Sequence, residues 1–120
     1  MASNQEKGSR GEAIAAEYLE ARGYRVVERN YRAKGGEIDL ICRHEEHGIE
    51  TVVFVEVKLR RTMAYGAPEE AVDPRKLAKM EVAADHYLHE HRLDDARCRF
   101  DVVGILATHP PRIRHFKDAT

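Results

Sequence analysis

Two predicted strands carry ionisable residues among apolar ones. Asp39 lies in the stretch GEIDLICR, and Glu56 and Lys58 lie in TVVFVEVKLR. A hairpin that folds symmetrically about a turn at His47-Gly48 would place Asp39 directly opposite Glu56, where Cβ atoms are roughly 5 Å apart. Two carboxylates that close in a half-buried place repel and raise each other's pKa. A shared divalent cation removes this conflict, and Mg²⁺ is typically held by one or two carboxylates together with water and phosphate.

Lys58 shares a face with Glu56, because alternate residues of a strand point to the same side. An ammonium group beside a metal-bound phosphate can orient the attacking water or stabilise the charge of the transition state. The alternative is structural: Lys58 would form an ion pair with a neighbouring carboxylate and no metal would bind. The spacing of these residues leaves both interpretations open.

The first helix must position a further carboxylate. Ser9 followed three residues later by Glu12 fits a capping box, so a helix is predicted to begin near Ser9 and to end at Gly23. Glu12 then shares a face with the apolar residues of that helix. Residues 1–8 are predicted to be a flexible lead, and residues 9–120 a single domain, because 120 residues are too few for two ordinary domains.

The rest of the chain predicts a mixed sheet flanked by helices. Asp73-Pro74 fits the start of a second helix, and the MAYGAP stretch before it is predicted to be a loop. The order αβββαβ indicates an α/β protein in which strands two and three form an antiparallel hairpin and strand four lies parallel to strand three. The predicted strands, with a fifth in PRIRHF, are Tyr24–Asn30, Glu37–Arg43, Thr51–Arg60 and Arg97–Leu106.

The overall composition excludes several classes of protein. The formal net charge is -1, so the chain lacks the strongly basic balance typical of nucleic-acid-binding proteins, although its arginines and lysines cluster locally. The two cysteines stand in unrelated contexts and indicate neither a disulfide framework nor a paired-cysteine metal site. No apolar run reaches membrane-spanning length and no secretory signal opens the chain, which predicts a cytoplasmic protein with no membrane partner.

The motifs around the charged strands carry a family resemblance. GEIDLI at 36–41 and FVEVKLR at 54–60 resemble the Asp…Glu-x-Lys core of the PD-(D/E)xK nuclease superfamily, whose fold is restriction-endonuclease-like. Together with GYRVVERNYR at 23–32 and RFDVV at 99–103, these motifs resemble the YraN family over nearly the whole chain. In outline the chain is also similar to archaeal Holliday-junction resolvases, which begin with a helix that bears a glutamate.

The resemblance implies a role for each charged residue. Asp39 and Glu56 would be metal ligands, with the Val57 carbonyl as a third, and Lys58 would be the catalytic lysine. Glu12 would be the additional acidic residue of the group, or alternatively no more than the capping glutamate of its helix. Ile38 stands where the superfamily motif has its proline.

Basic residues near these motifs are predicted to bind backbone phosphates, which gives affinity without reading sequence. Glu37 is predicted to be a surface partner of a nearby arginine or, as the less favoured alternative, a residue that contacts the metal ligands without binding the metal itself. The predicted phosphate contacts are Arg60, Arg61, Arg29, Arg32 and Lys76.

Three functions are compatible with these residues. The leading prediction is an endonuclease, dependent on Mg²⁺ or Mn²⁺, that hydrolyses phosphodiester bonds in branched or otherwise structured DNA; a homodimer would suit such a substrate. The first alternative is a non-catalytic nucleic-acid-binding or assembly module that keeps the nuclease fold. The second is a small structural protein whose strand charges form internal ion pairs.

Overall fold

The chain forms two helices and five strands in the part described by the computed structural model, residues 4–61 and 72–120, the side chains of 4–9 excepted. The predicted loop at 63–68 lies outside these residues, as do residues 1–3 of the predicted lead. The elements in chain order are α1 (Asn4–Glu20), β1 (Arg25–Ala33), β2 (Gly36–Glu46), β3 (Ile49–Arg60), α2 (Pro74–Glu90), β4 (Arg97–Leu106) and β5 (Arg112–Phe116).

The strands form one mixed sheet in the order β1-β2-β3-β4-β5. β1, β2 and β3 pair antiparallel as a meander, β3 and β4 pair parallel, and β5 returns antiparallel to β4. The parallel pair follows from the sequence, because a helix separates β3 from β4 and carries the chain back along the sheet. The predicted α/β fold with a mixed sheet flanked by helices is confirmed, and it is compatible with a restriction-endonuclease-like core.

The β2–β3 hairpin has the predicted register. Its ladder runs from Leu40 paired with Val55 to Glu46 paired with Ile49. The turn consists of His47 and Gly48, both at positive φ, 52° and 80°, as the two-residue turns that match strand twist require. β2 therefore extends three residues beyond its predicted end at Arg43, to Glu46.

The two helices cover opposite faces of the sheet. α1 packs on the face that carries Leu40, Val53 and Val55, and α2 packs on the face that carries Ile41 and Phe54. The central strands are thus covered on both sides, which explains why their sequences are nearly continuously apolar.

The two helices differ in how closely their starts follow the sequence-based prediction. Asp73 caps α2 as expected, because its side chain accepts the N–H of Arg75 at 2.9 Å. α1 begins at Asn4 rather than near Ser9, so Ser9 lies inside the helix and the predicted capping box is wrong as a helix start. The polar residues upstream are compatible with helical geometry, and a local capping signal does not stop a helix from extending past it.

Candidate functional site

The site is built where β2 and β3 separate. The last ladder pair before the separation is Leu40 with Val55. One residue beyond it, Oδ2 of Asp39 accepts a hydrogen bond from the backbone N–H of Val57 at 2.8 Å. We call this point, occupied by Asp39 and Val57, the fork. The Asp39 carboxylate is thereby fixed on the middle residue of the Glu56-Val57-Lys58 stretch.

A cavity of about 310 Å³ opens beside the fork, on the α1 side of the sheet. We call it the Glu12 cavity, because Glu12 of α1 and Asp39 of β2 both line it. Its wall contains both polar and apolar residues, and two of the polar ones are arginines. Its lining residues are Arg10, Gly11, Glu12, Asp39, Val57, Leu59, Arg61 and Ala107.

Gly11 explains why α1 approaches β3 so closely here. A Cβ atom at Gly11 would lie 3.3 Å from Cβ of Leu59, which would have to shift by a few tenths of an ångström, and 3.6 Å from Cγ1 of Val57, an ordinary van der Waals contact. The glycine therefore lets the helix bring the next residue, Glu12, down to the level of the fork.

The two carboxyl groups of the Glu12 cavity both resist ionisation. Glu12 is only 8% exposed, and burial, followed by the negative charge of Asp39, raises its pKa; a hydrogen bond from Asn30 and the charges of Arg29 and Arg32 act in the opposite direction. Burial also raises the pKa of Asp39, against the effect of the Val57 N–H and of Lys76. The site thus brings together two carboxylates that gain from a nearby positive charge.

Glu56 and Lys58 lie on the other side of β3 from this cavity. Val55 packs on the α1 face and Phe54 on the α2 face, so the alternation of the strand directs Glu56 and Lys58 to the α2 side. Both are partly buried, and Oε2 of Glu56 is fully enclosed.

Asp39 interacts electrostatically with groups on both sides of the sheet. Its negative charge raises the pKa of Glu12 in the shared cavity on the α1 side. The charge of Lys76, near the start of α2, lowers the pKa of Asp39, and the charge of Glu37 raises it. The candidate site therefore straddles the fork instead of lying on one face. The part of the chain that the structure describes contains no group of three or more His, Cys, Asp or Glu side chains arranged to hold a metal ion.

The predicted phosphate-binding residues divide into two groups. Arg61 lines the Glu12 cavity, and Arg29 and Arg32 lie close enough to lower the pKa of Glu12. Lys76 instead forms an ion pair with Glu37 at 3.1 Å. The predicted nearby arginine is present as well, because Arg32 lies opposite Glu37 on β1 and its charge lowers the pKa of that carboxyl group.

The surroundings of two of these basic residues, Arg29 and Arg60, are also defined. Arg29 lies 3.8 Å from Glu20 in an exposed pair, which contributes little to stability. The Nε atom of Arg60 is buried and has no hydrogen-bond partner within the described residues.

A buried ionic cluster around Asp101 was not predicted from the sequence. This residue is fully buried and accepts hydrogen bonds from Arg99 at 2.8 and 2.9 Å, from His115 at 2.7 Å and from the N–H of Asp118 at 3.0 Å. Burial alone would raise the pKa of Asp101, but the hydrogen bonds from His115 and Arg99 lower it. The signal was present: an aspartate in the apolar strand RCRFDVVGIL presents the same problem as Asp39.

The Asp101 cluster joins the end of the chain to the sheet. Arg99 also donates to Glu46 at 3.0 Å and to the hydroxyl of Tyr24 at 2.9 Å, which ties β4 to β2 and to the segment after α1. Because each oxygen of Asp101 is used within the protein, we assign this cluster to stability and not to catalysis.

Within the described ranges, no helix is long and apolar enough to cross a membrane.

Comparison with known proteins places this chain in a family. The sequence model of Uncharacterised protein family UPF0102 matches residues 11–105. A UPF0102 protein of Geotalea uraniireducens is 48% identical over 120 residues, covering 98% of this chain and 91% of its own. A second, from Pelobacter propionicus, is 48% identical over 103 residues, which cover 86% of this chain and 72% of the relative. A third, from Geobacter sulfurreducens, is 44% identical over 118 residues, which cover 97% of this chain and 89% of the relative. The resemblance to the YraN family is thus confirmed, and the chain belongs to family UPF0102.

Proposed function

We propose that this protein is a nuclease that uses Mg²⁺ or Mn²⁺ to hydrolyse phosphodiester bonds in DNA. The observation that carries the proposal is the fork: the Asp39 carboxylate is held on the N–H of Val57 and shares a cavity with Glu12. Buried carboxylates that repel each other are costly unless a cation accompanies them. A structural role alone would not require two of them beside an open cavity.

The donor atoms at the fork suit a hard divalent cation. Asp39 and Glu12 offer carboxylate oxygens in the Glu12 cavity, with the Val57 carbonyl as a further oxygen ligand, whereas Glu56 would reach a cation at the fork only from the α2 side of the sheet. Mg²⁺ needs only one or two carboxylates when water and substrate phosphate complete its shell, so the site does not require three acidic side chains in one cluster. When bound, the metal would polarise the phosphate and lower the pKa of a bound water.

Residues of the protein would orient the attacking water, stabilise the transition state and bind the DNA backbone. Lys58, two residues after Glu56, would orient the attacking water and stabilise the charge that develops on the phosphate oxygens. Arg61 on the cavity wall would hold a backbone phosphate, and Arg60, its neighbour in the chain, would contact the same backbone through its terminal guanidinium nitrogens. Arg29 and Arg32 would extend the contact along β1.

The proposed substrate is branched or otherwise structured DNA, and a homodimer would present two sites to it. The net charge of -1 means that affinity must come from this local group of basic residues and not from the protein as a whole. Phosphate contacts of this kind position a protein on DNA without selecting a sequence.

The second candidate is a non-catalytic nucleic-acid-binding module. It is favoured by the position of Glu56 and Lys58, which lie on the other side of β3 from the cavity shared by Asp39 and Glu12. In that case no cation would bind at the fork, and the basic residues would bind phosphate alone.

A cleavage assay separates the two candidates. Wild-type protein is incubated with Mn²⁺ or Mg²⁺ and with four-way junction, single-stranded or duplex DNA. Asp39→Asn should abolish cleavage, whereas the matched control Asp95→Asn, at an exposed position remote from the fork, should cleave as wild type does.

Two results would contradict the nuclease proposal. Wild-type protein that binds DNA but cuts none of these substrates with either metal would favour the non-catalytic module. Equal cleavage by wild type and Asp39→Asn would show that the activity does not come from the fork.

A further inference from the structure

Asn30 has an unusual backbone for a residue inside a strand. Its φ is 51°, in the left-handed region, although it lies within β1 and its neighbours pair normally: Arg29 with Leu40, and Tyr31 with Ile38. This register places Asn30 opposite Asp39, the carboxylate of the fork. Few residues other than glycine adopt this conformation, and asparagine is the one that does so most readily.

The Asn30 side chain makes a contact that explains the backbone. Its carboxamide donates a hydrogen bond to the carboxylate of Glu12. One residue of β1 therefore connects the helix that carries Glu12 to the strand that carries Asp39. A left-handed residue interrupts the alternation of a strand, so it can send its side chain where an extended residue would not.

Neither glycine nor aspartate at position 30 could combine the positive φ with a hydrogen-bond donor to Glu12. Glycine would accept the positive φ but has no donor for Glu12. Aspartate would accept it as well, but it would put a third carboxylate beside two that already repel. The left-handed backbone and the N–H donor are supplied together by asparagine.

We propose that Asn30 is a positioning residue that holds the Glu12 carboxylate in the orientation in which it and Asp39 share one divalent cation. The inference rests on the proposed metal site at the fork. The inference goes beyond that metal site because it assigns a role to a residue that is not itself a metal ligand. Without the amide of Asn30, the Glu12 carboxylate would be free to turn away from Asp39. Hydrogen bonds that orient a metal ligand commonly change metal affinity by about 10- to 100-fold.

The test measures Mn²⁺ binding to the full chain without DNA, from the paramagnetic resonance signal of the free ion. Asn30→Gly should weaken Mn²⁺ binding by about tenfold or more. The control is His47→Gly, which makes the same type of change at a second residue of positive φ, 52°, in the β2–β3 turn. It should leave the Mn²⁺ affinity at the wild-type value.

A double-mutant cycle with Glu12→Gln separates positioning from a general effect on the fold. If Asn30 acts through Glu12, Asn30→Gly should change Mn²⁺ affinity much less in the Glu12→Gln background than in wild type. The same cycle in urea without metal should show that the two substitutions do not shift the unfolding midpoint additively.

The outcomes distinguish failure of this inference from failure of the proposed function. Wild-type Mn²⁺ affinity in Asn30→Gly, or an equal loss in both Glu12 backgrounds, would overturn the positioning role and leave the metal site standing. Absence of Mn²⁺ binding by the wild-type protein would overturn both.

Discussion

The carboxylate of Asp39 is held by the backbone of Val57, with 2.8 Å between Oδ2 and the amide nitrogen. This hydrogen bond replaces a backbone–backbone hydrogen bond at the point where β2 and β3 separate, so the two strands remain connected there through the Asp39 side chain. The hydrogen bond also fixes the distance between Asp39 and the Glu56-Val57-Lys58 stretch.

Asp39→Asn should abolish Mn²⁺ binding and preserve the fold. The amide oxygen of asparagine can still accept the Val57 N–H, and the substitution removes a buried charge whose pKa is raised by burial. We therefore expect the free energy of unfolding in urea to stay the same or to rise. Calorimetry that gave wild type and Asp39→Asn the same Mn²⁺ affinity would contradict the metal assignment.

Glu12→Gln should make stability less dependent on pH. Burial raises the pKa of Glu12 in the folded state above the ordinary 4.5, so the folded protein binds this proton more tightly than the unfolded chain does. Wild-type stability should then fall as the pH rises from about 4.5 through the folded pKa. Urea unfolding between pH 4 and pH 8 should show glutamine gaining relative to wild type over that interval; Glu17→Gln, at an exposed position of α1, is the control.

Asp101→Asn should be strongly destabilising, because it leaves the buried charge of Arg99 without its main partner. Breaking a buried ion pair by removing one member typically costs about 3–5 kcal/mol. Since the folded pKa of Asp101 lies below the ordinary 3.8, the stabilisation should be present above that value and lost as the pH falls through the folded pKa. A loss similar to that of the exposed control Asp94→Asn would show that the cluster contributes little.

Lys58→Ala should remove cleavage and retain most of the affinity for DNA. Lys58 is assigned to the water and the transition-state charge, and a single phosphate contact is a small part of a footprint with several. Filter binding and cleavage on the same junction DNA would test this. A decrease in affinity as large as the decrease in activity would mean that Lys58 is mainly a binding residue.

Arg60→Ala combined with Arg61→Ala should weaken binding to every DNA and make it less sensitive to salt. The slope of log affinity against log salt should decrease by about one for each phosphate that the protein no longer neutralises. The matched control is Arg92→Ala combined with Arg97→Ala, two exposed arginines remote from the fork. An unchanged slope in Arg60→Ala/Arg61→Ala would exclude the proposed phosphate contacts.

The parts of the site that depend on local patterns were predictable from the sequence. The register that brings Asp39 level with Glu56 follows from strand alternation and from a two-residue turn, both of which short stretches encode. The face of Glu12 followed in the same way from helical spacing, even though the predicted start of its helix is wrong.

The parts that depend on long-range packing were not predictable. Asp101 finds its partners on β4, on β5 and after β5, and no local pattern indicates that these segments meet. Lys76 reaches Glu37 only because α2 crosses β2. The left-handed backbone of Asn30 is likewise invisible in the sequence, because asparagine also occurs in ordinary strands.

The β2–β3 turn has a consequence far from where it lies. Seven residue pairs connect Leu40–Val55 to Glu46–Ile49, a ladder of roughly 20 Å at the usual rise of a strand. Insertion or deletion of one residue at His47-Gly48 would slide one strand along the other, so that Asp39 would face a different residue and its hydrogen bond to Val57 would break. The length of an exposed tip is therefore constrained as strictly as the charged residues at the other end of the hairpin, even where the residue types of that tip could change.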